Sequence, residues 1–149
     1  MPAYEKARLQ TVAFKHVRET VSATLKSFAL NTTQWMVLGI LNEAESSQKI
    51  STIAQNLQVE VPLITTLTQP LVASGFIEQH ADARDRRSKP LSLTEAGISL
   101  LQKIESRLAS ELQLLEAGIA EDSLEQYFHT LRQLIANGEE REREKHKRN

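Results

Sequence analysis

Arg84, Arg86, Arg87 and Lys89 gather four cations in one short stretch, interleaved with Asp82 and Asp85. The chemistry this set suits is anion binding. A guanidinium is planar and permanently charged, and it is favoured in the narrow minor groove of duplex DNA, where the negative potential is strongest. A loop tip carrying these side chains has a shape that fits such a groove. Asp85, two residues before Arg87, is placed to hold that guanidinium in a fixed fork. Charged loop tips are also common as plain solvated turns, so the flanking elements must decide between the two readings.

Other chemistries find little support in the residues. There is no cysteine, which removes disulfides, CxxC zinc sites and thiol redox sensing. His16, His80, His129 and His146 are far apart and show no metal-binding spacing, and neither a Gly-rich phosphate loop nor a nucleophile elbow is present. The expectation is a protein that is not an enzyme and needs no cofactor or metal. With 18 Lys+Arg against 19 Asp+Glu the net charge is -1, so any DNA binding must come from a local patch rather than a basic field. No signal-peptide core and no apolar run approaching ~20 residues is present, which predicts a cytoplasmic protein without a membrane partner.

The elements that would position the charged loop can be read from periodicity. Leu9, Val12, Ala13, Val17, Val21, Leu25 and Phe28 recur at three- and four-residue steps, predicting one long amphipathic helix. Asn31 and Gln34 form an N-cap pair for a second helix through Trp35, Leu38 and Leu41, and Ser51 is a candidate cap for a short third helix. Pro62 suits the first turn of a fourth helix with a stripe at Ile64, Leu67 and Leu71, stopping at Gly75. Phe76-Ile77-Glu78 and Leu91-Ser92-Leu93 read as strands flanking the charged loop. Thr94 caps a fifth helix with a near-heptad stripe, and Asp122 with Glu125 forms a capping box for a sixth that runs into a charged tail. The fold class is therefore mainly α with a small β-hairpin wing: a winged helix-turn-helix with N- and C-terminal dimerisation helices.

Leu30 to Leu41, Ile53-Ala-Gln-Asn-Leu57, Leu71-Val-Ala-Ser-Gly-Phe-Ile77, Asp85-Arg-Arg87 and Leu93-Thr-Glu-Ala-Gly97, in this order and spacing, resemble the MarR family of winged-helix regulators. The resemblance covers nearly the whole chain. It implies a two-fold dimer made by the first, fifth and sixth helices, a fourth helix in the major groove and a wing in the minor groove. It also implies a repressor or activator, often released from DNA by a small, frequently aromatic, acid. The wide apolar stripes of the terminal helices argue for a homodimer on their own account. The resulting organisation assigns residues 1–30 and 95–149 to dimerisation and residues 31–94 to a DNA-binding region, intertwined as one domain.

On the fourth helix the face opposite the apolar stripe offers Pro62, Thr65, Thr66 and Gln69 to base edges, while Ser51 and Gln55 on the third helix could meet phosphates. With Arg84, Asp85, Arg86, Arg87 and Lys89 these make up the expected DNA-binding set. Two features stand apart from the family pattern. Between Lys49 and Arg84 there is no Lys or Arg, while Glu60, Glu78 and Asp82 give a local charge of -3. Pro70 falls inside the fourth helix and predicts a kink or an early end near Gln69.

Phe14, His16 and Arg18 on the first helix, with Trp35 and Met36 on the second, are candidates for a crevice binding an aromatic or phenolic acid, although simple core packing explains Phe14 and Trp35 as well. The expected function is a dimeric, sequence-specific DNA-binding regulator, ligand-responsive and repressing, on a pseudo-palindromic operator with half-sites ~10 bp apart. The alternative is a winged-helix dimer that has lost DNA binding and serves as a protein-interaction or ligand-binding module.

Overall fold

The structure is a computed structural model that describes residues 1–149 apart from Ala83, Arg86 and Asn149. The element order is α1 (Ala3–Lys26), α2 (Thr32–Glu43), α3 (Ile50–Leu57), α4 (Val61–Ala73), β1 (Ile77–Gln79), β2 (Leu91–Leu93), α5 (Glu95–Glu116) and α6 (Glu121–Arg148). It divides into two compact units, Met1–Leu115 and Glu116–Asn149. A mainly helical chain with one small hairpin is what the periodicity predicts.

The first unit is organised around a core drawn from every one of its elements. Val21 and Leu25 of α1, Val37, Leu38 and Leu41 of α2, Ile53 of α3, Ile64 and Leu71 of α4, Ile77, Leu91, and Leu101, Ile104 and Leu108 of α5 are all buried. Helices α1 and α5 thus help build the core under the helix-turn-helix. The strands are antiparallel, pairing Ile77 with Leu93, Glu78 with Ser92 and Gln79 with Leu91. Gln48 adds a partner on the far side of β2, exchanging two backbone hydrogen bonds of 2.8 Å with Leu91. The base of the hairpin is therefore anchored to the turn before α3.

Local chemistry explains most boundaries. At α2 the Gln34 amide donates to Asn31 Oδ1 at 2.8 Å and the Asn31 amide donates to Gln34 Oε1 at 3.1 Å, the reciprocal cap the pair predicts. At α5 the Gly97 amide donates to Thr94 Oγ1 at 3.1 Å, as the cap reading requires. Gly75 takes φ 77°, and the amides of Gly75 and Phe76 return to Val72 and Leu71, closing α4 with a left-handed glycine.

Three sequence expectations need correction. Ser51 does not cap α3: the helix begins at Ile50 with Lys49 in the cap position, which puts Ser51 in its first turn. Asp122 likewise lies inside α6, whose first turn opens at Glu121 with the amides of Ser123 and Leu124 bonded to the Ala120 carbonyl. Helix α4 does not end near Gln69 but continues through Pro70 to Ala73. Proline removes the donor for the carbonyl of Thr66 and crowds the preceding turn, yet the helix persists because Leu71 is locked in the core and Gln34 Nε2 donates to the Leu67 carbonyl at 3.1 Å.

The second unit is made up of α6 and the short connection that leads into it. None of its described residues is buried. Glu121 and Asp122 in its first turn and Lys145, His146, Lys147 and Arg148 in its last complement the helix dipole, which accounts for a charged tail that stays helical.

Candidate nucleic-acid interface

Helix α4 buries Ile64, Thr68 and Leu71 and leaves the opposite face open, because positions three and four apart share a side of a helix. Pro62, Thr65, Thr66 and Gln69 are all exposed on that face. Val61 and Leu63 beside them are 43% and 42% exposed, so the surface is apolar and hydroxylic with no charge. Thr65 Oγ1 donates to the Val61 carbonyl at 3.1 Å, which engages its proton and leaves the oxygen lone pairs as acceptors. Among the described residues no hydrogen bond engages the side chains of Thr66 and Gln69. Ser51 and Gln55 are exposed on α3.

The hairpin carries Arg84, Arg87 and Lys89, all exposed; Arg86 lies outside the described residues. Asp82 Oδ1 accepts from the Arg84 amide and Asp85 Oδ1 from the Arg87 amide, each at 2.9 Å. These are consecutive Asx turns, in which a carboxylate two residues upstream mimics a backbone carbonyl. Asp85 thus bonds the backbone amide of Arg87, and among the described residues no ion pair joins it to the Arg87 guanidinium, which corrects the expected side-chain pair.

At the foot of the hairpin, His80 Nε2 lies 2.6 Å from Ser92 Oγ, and Ser92 Oγ donates to Glu78 Oε1 at 3.2 Å across the strand pair. These residues were not singled out in the sequence, because the two strands bring them together only after pairing. Thr94 Oγ1 also donates to the Gly75 carbonyl at 2.6 Å, tying the start of α5 to the end of α4. Gly97 closes the sequence motif that begins at Leu93, but its steric role could not be foreseen, for a similar reason. A Cβ there would overlap the Phe76 carbonyl oxygen, so the residue permits the close approach of α5 to the hairpin.

The expected ligand residues are not all brought together. Trp35 and Met36 line a cavity of about 470 Å³ with Gly39, Ile40, Glu43 and Leu101, whereas Phe14, His16 and Arg18 are not among its lining residues. Phe14 is 63% exposed on α1, with the Arg18 guanidinium 5.8 Å above its ring. The cavity instead holds Glu105, whose Oε1 accepts from Trp35 Nε1 at 2.8 Å. No group of three or more metal-ligating side chains occurs among the described residues. No described helix is long and apolar enough to cross a membrane.

An open helix face beside a cationic hairpin, on a helix-turn-helix framed by α1 and α5, defines a winged helix-turn-helix protein. Residues 30–89 match the MarR family model. HTH-type transcriptional regulators of Escherichia coli are similar in sequence: PapX is 28% identical over 83% of this chain and 76% of its own length, and PrsX 33% identical over 70% of this chain and 62% of its own. A MarR-family regulator from Rhodococcus sp. RHA1 superposes with a TM-score of 0.80 at 20% identity, over 90% of this chain and 94% of its own. MepR of S. aureus, solved as a DNA complex, superposes with a TM-score of 0.73 at 24% identity, covering 88% of this chain and 96% of its own. The chain belongs to the MarR family of winged-helix transcriptional regulators.

Proposed function

We propose that the chain is a homodimeric, sequence-specific regulator that holds double-stranded DNA with α4 in the major groove and the hairpin in the minor groove. The observation that carries this reading is the pairing of an exposed, uncharged α4 face with Arg84, Arg87 and Lys89 on a hairpin stiffened by two Asx turns. Phosphate contacts position such a protein and base edges specify its site. Support comes from the MepR fold having been solved on DNA. Repression by occluding a promoter is the simplest outcome, and a cytoplasmic location follows from that role.

Residues 31–94 would read the DNA while α1, α5 and α6 join two chains. Large apolar side chains left open on these helices, among them Val12 and Val17 on α1, Leu114 on α5 and Leu134 on α6, support a two-fold partner. The test is fluorescence anisotropy with DNA from upstream of the gene against unrelated DNA over a salt series. Specific binding that weakens with salt supports the reading; equal and poor binding of both DNAs at low salt sinks it.

An effector would enter beside Trp35, with Met36, Ile40 and Leu101 as apolar walls. Glu43 and Glu105 in the same lining favour a neutral or cationic aromatic over a carboxylate unless Arg18 or His16 turns toward it. A second reading, a winged-helix module that binds proteins or ligands in place of DNA, draws on the charge of -3 between residues 50 and 83.

A further inference from the structure

We infer that this chain reads A·T-rich half-sites, with Gln69 as the residue that specifies adenine; this rests on the DNA-binding reading above and names the class of DNA it takes. Pro62, Thr65, Thr66 and Gln69 share one face of α4, and the helix rises ~10 Å from Pro62 to Gln69, about three base steps along a strand. The helix therefore addresses a triplet. Each group it presents has a preferred base. A free carboxamide such as that of Gln69 pairs bidentately with adenine N6 and N7, and apolar groups meet the thymine C5 methyl.

The apolar part of this surface is larger than the four residues suggest. Val61 is 43% exposed and stands one turn before the exposed Thr65, whose hydroxyl proton is taken up by the Val61 carbonyl. Guanine lacks a reader here. Its usual partner is Arg or Lys on O6 and N7, and the sequence has neither from Ile50 to Ala83. Glu60 could accept from cytosine N4, but it occupies the N-cap position of α4, outside the face that spans the triplet, and its carboxylate would meet the phosphates as a like charge.

The hairpin points the same way by separate physics. Arg84 and Arg87 are exposed on a loop whose backbone is fixed by Asp82 and Asp85. Arginines presented in this way gain most from a narrowed minor groove, and A-tracts narrow it. Base-edge readout by α4 and shape readout by the hairpin then select A·T pairs at neighbouring positions.

The experiment selects duplexes from a randomised library with the full chain, then measures anisotropy on the selected site with each triplet A·T pair changed to G·C, using wild type, Gln69→Ala and Gln69→Arg. Wild type should lose about 5- to 150-fold at the adenine facing Gln69. Gln69→Ala should lose that discrimination with the salt slope unchanged, and Gln69→Arg should move the preference to guanine. Selection of G·C-rich triplets, or equal affinity for A·T and G·C triplets by wild type on DNA it does bind, would overturn the inference alone. Enrichment of no sequence at low salt would overturn the DNA-binding reading and the inference with it.

Discussion

Gln34 Nε2 donates to the carbonyl oxygen of Leu67 at 3.1 Å, joining the start of α2 to the turn of α4 that precedes Pro70. The same side chain accepts from the Asn31 amide through Oε1, so one buried carboxamide closes the cap of one helix and props another. Only Gln offers both functions at this length. Gln34→Glu keeps the acceptor for Asn31 but faces the Leu67 carbonyl with a second acceptor. It should lower stability by about 1–3 kcal/mol, the cost of an unmet buried polar group, while Asn31→Ala should cost about 1 kcal/mol. Chemical denaturation checks both, and a Gln34→Glu protein as stable as wild type would show that the Leu67 bond carries no weight. Pro70→Ala restores a donor to the Thr66 carbonyl and should raise the denaturation midpoint.

Gly97 predicts a second stability effect. A methyl at this position would collide with the Phe76 carbonyl oxygen, which also accepts from the Thr94 amide at 3.2 Å. Backbone cannot step aside as a flexible side chain can, so α5 must shift away from the hairpin. Gly97→Ala should cost about 1–3 kcal/mol, against a helix-propensity gain of roughly 1 kcal/mol for the same change at an open helical site. Gly138 on α6 meets nothing within 4 Å and serves as that control. Thermal unfolding of the two alanine variants should therefore move in opposite directions.

The Asx turns separate two roles of Asp85. Asp85→Asn keeps the oxygen that accepts from the Arg87 amide and removes a negative charge from the DNA side, so affinity for the operator should rise several-fold at low salt. Asp85→Ala loses the turn as well and should weaken binding. Arg87→Ala should weaken binding most on sites with A·T-rich flanks, where the minor groove is narrow, and should make binding less sensitive to salt. An Asp85→Asn protein with the affinity of Asp85→Ala would show that charge, and not the turn, governs the hairpin.

Legibility in the sequence followed locality. The caps at Asn31 and Thr94 could be read because donor and acceptor lie three residues apart, and the open face of α4 because its apolar stripe has a helical period. Ser51 and Asp122 misled because each is a good capping residue one position inside the true start, where chain entry from the preceding turn decides. The early end expected at Pro70 does not occur because Gln34, 36 positions away in the chain, supplies support that no local rule contains. The same holds for Gly97 against Phe76, for Gln48 against Leu91, and for Glu105, which reaches Trp35 across 70 positions. A carboxylate in that cavity changes the charge of the ligand one would seek.

The cavity can be probed directly because Trp35 is the sole tryptophan of the chain. A neutral or cationic aromatic entering beside it should quench its fluorescence, and an aromatic carboxylate of the same size should bind more weakly. Glu105→Gln keeps an oxygen for Trp35 Nε1 and removes the charge, so it should narrow the difference between the two probes. His16→Ala and Arg18→Ala should leave both titrations unchanged, since neither residue lines the cavity. Loss of carboxylate binding in Arg18→Ala would instead place the first helix in the site.

The apolar residues of α6 make the sharpest demand on assembly. Tyr127 and Phe128 are 48% and 44% exposed with ring centroids 5.3 Å apart, and Leu134 and Ile135 are 49% and 58% exposed two turns on. A helix of 28 residues with no fully buried residue, and only Leu124 and Leu131 half-buried, gains little from packing, and propensity alone leaves helices marginal in water. Its order calls for a covering surface, and a two-fold copy of the same chain provides one without a further component. Wild type should sediment at twice 16.8 kDa, and Leu134→Glu with Ile135→Glu should give monomers that bind one half-site weakly and lose the ~10 bp spacing requirement. A double variant that still sediments as a dimer and still requires two spaced half-sites would move the interface away from α6.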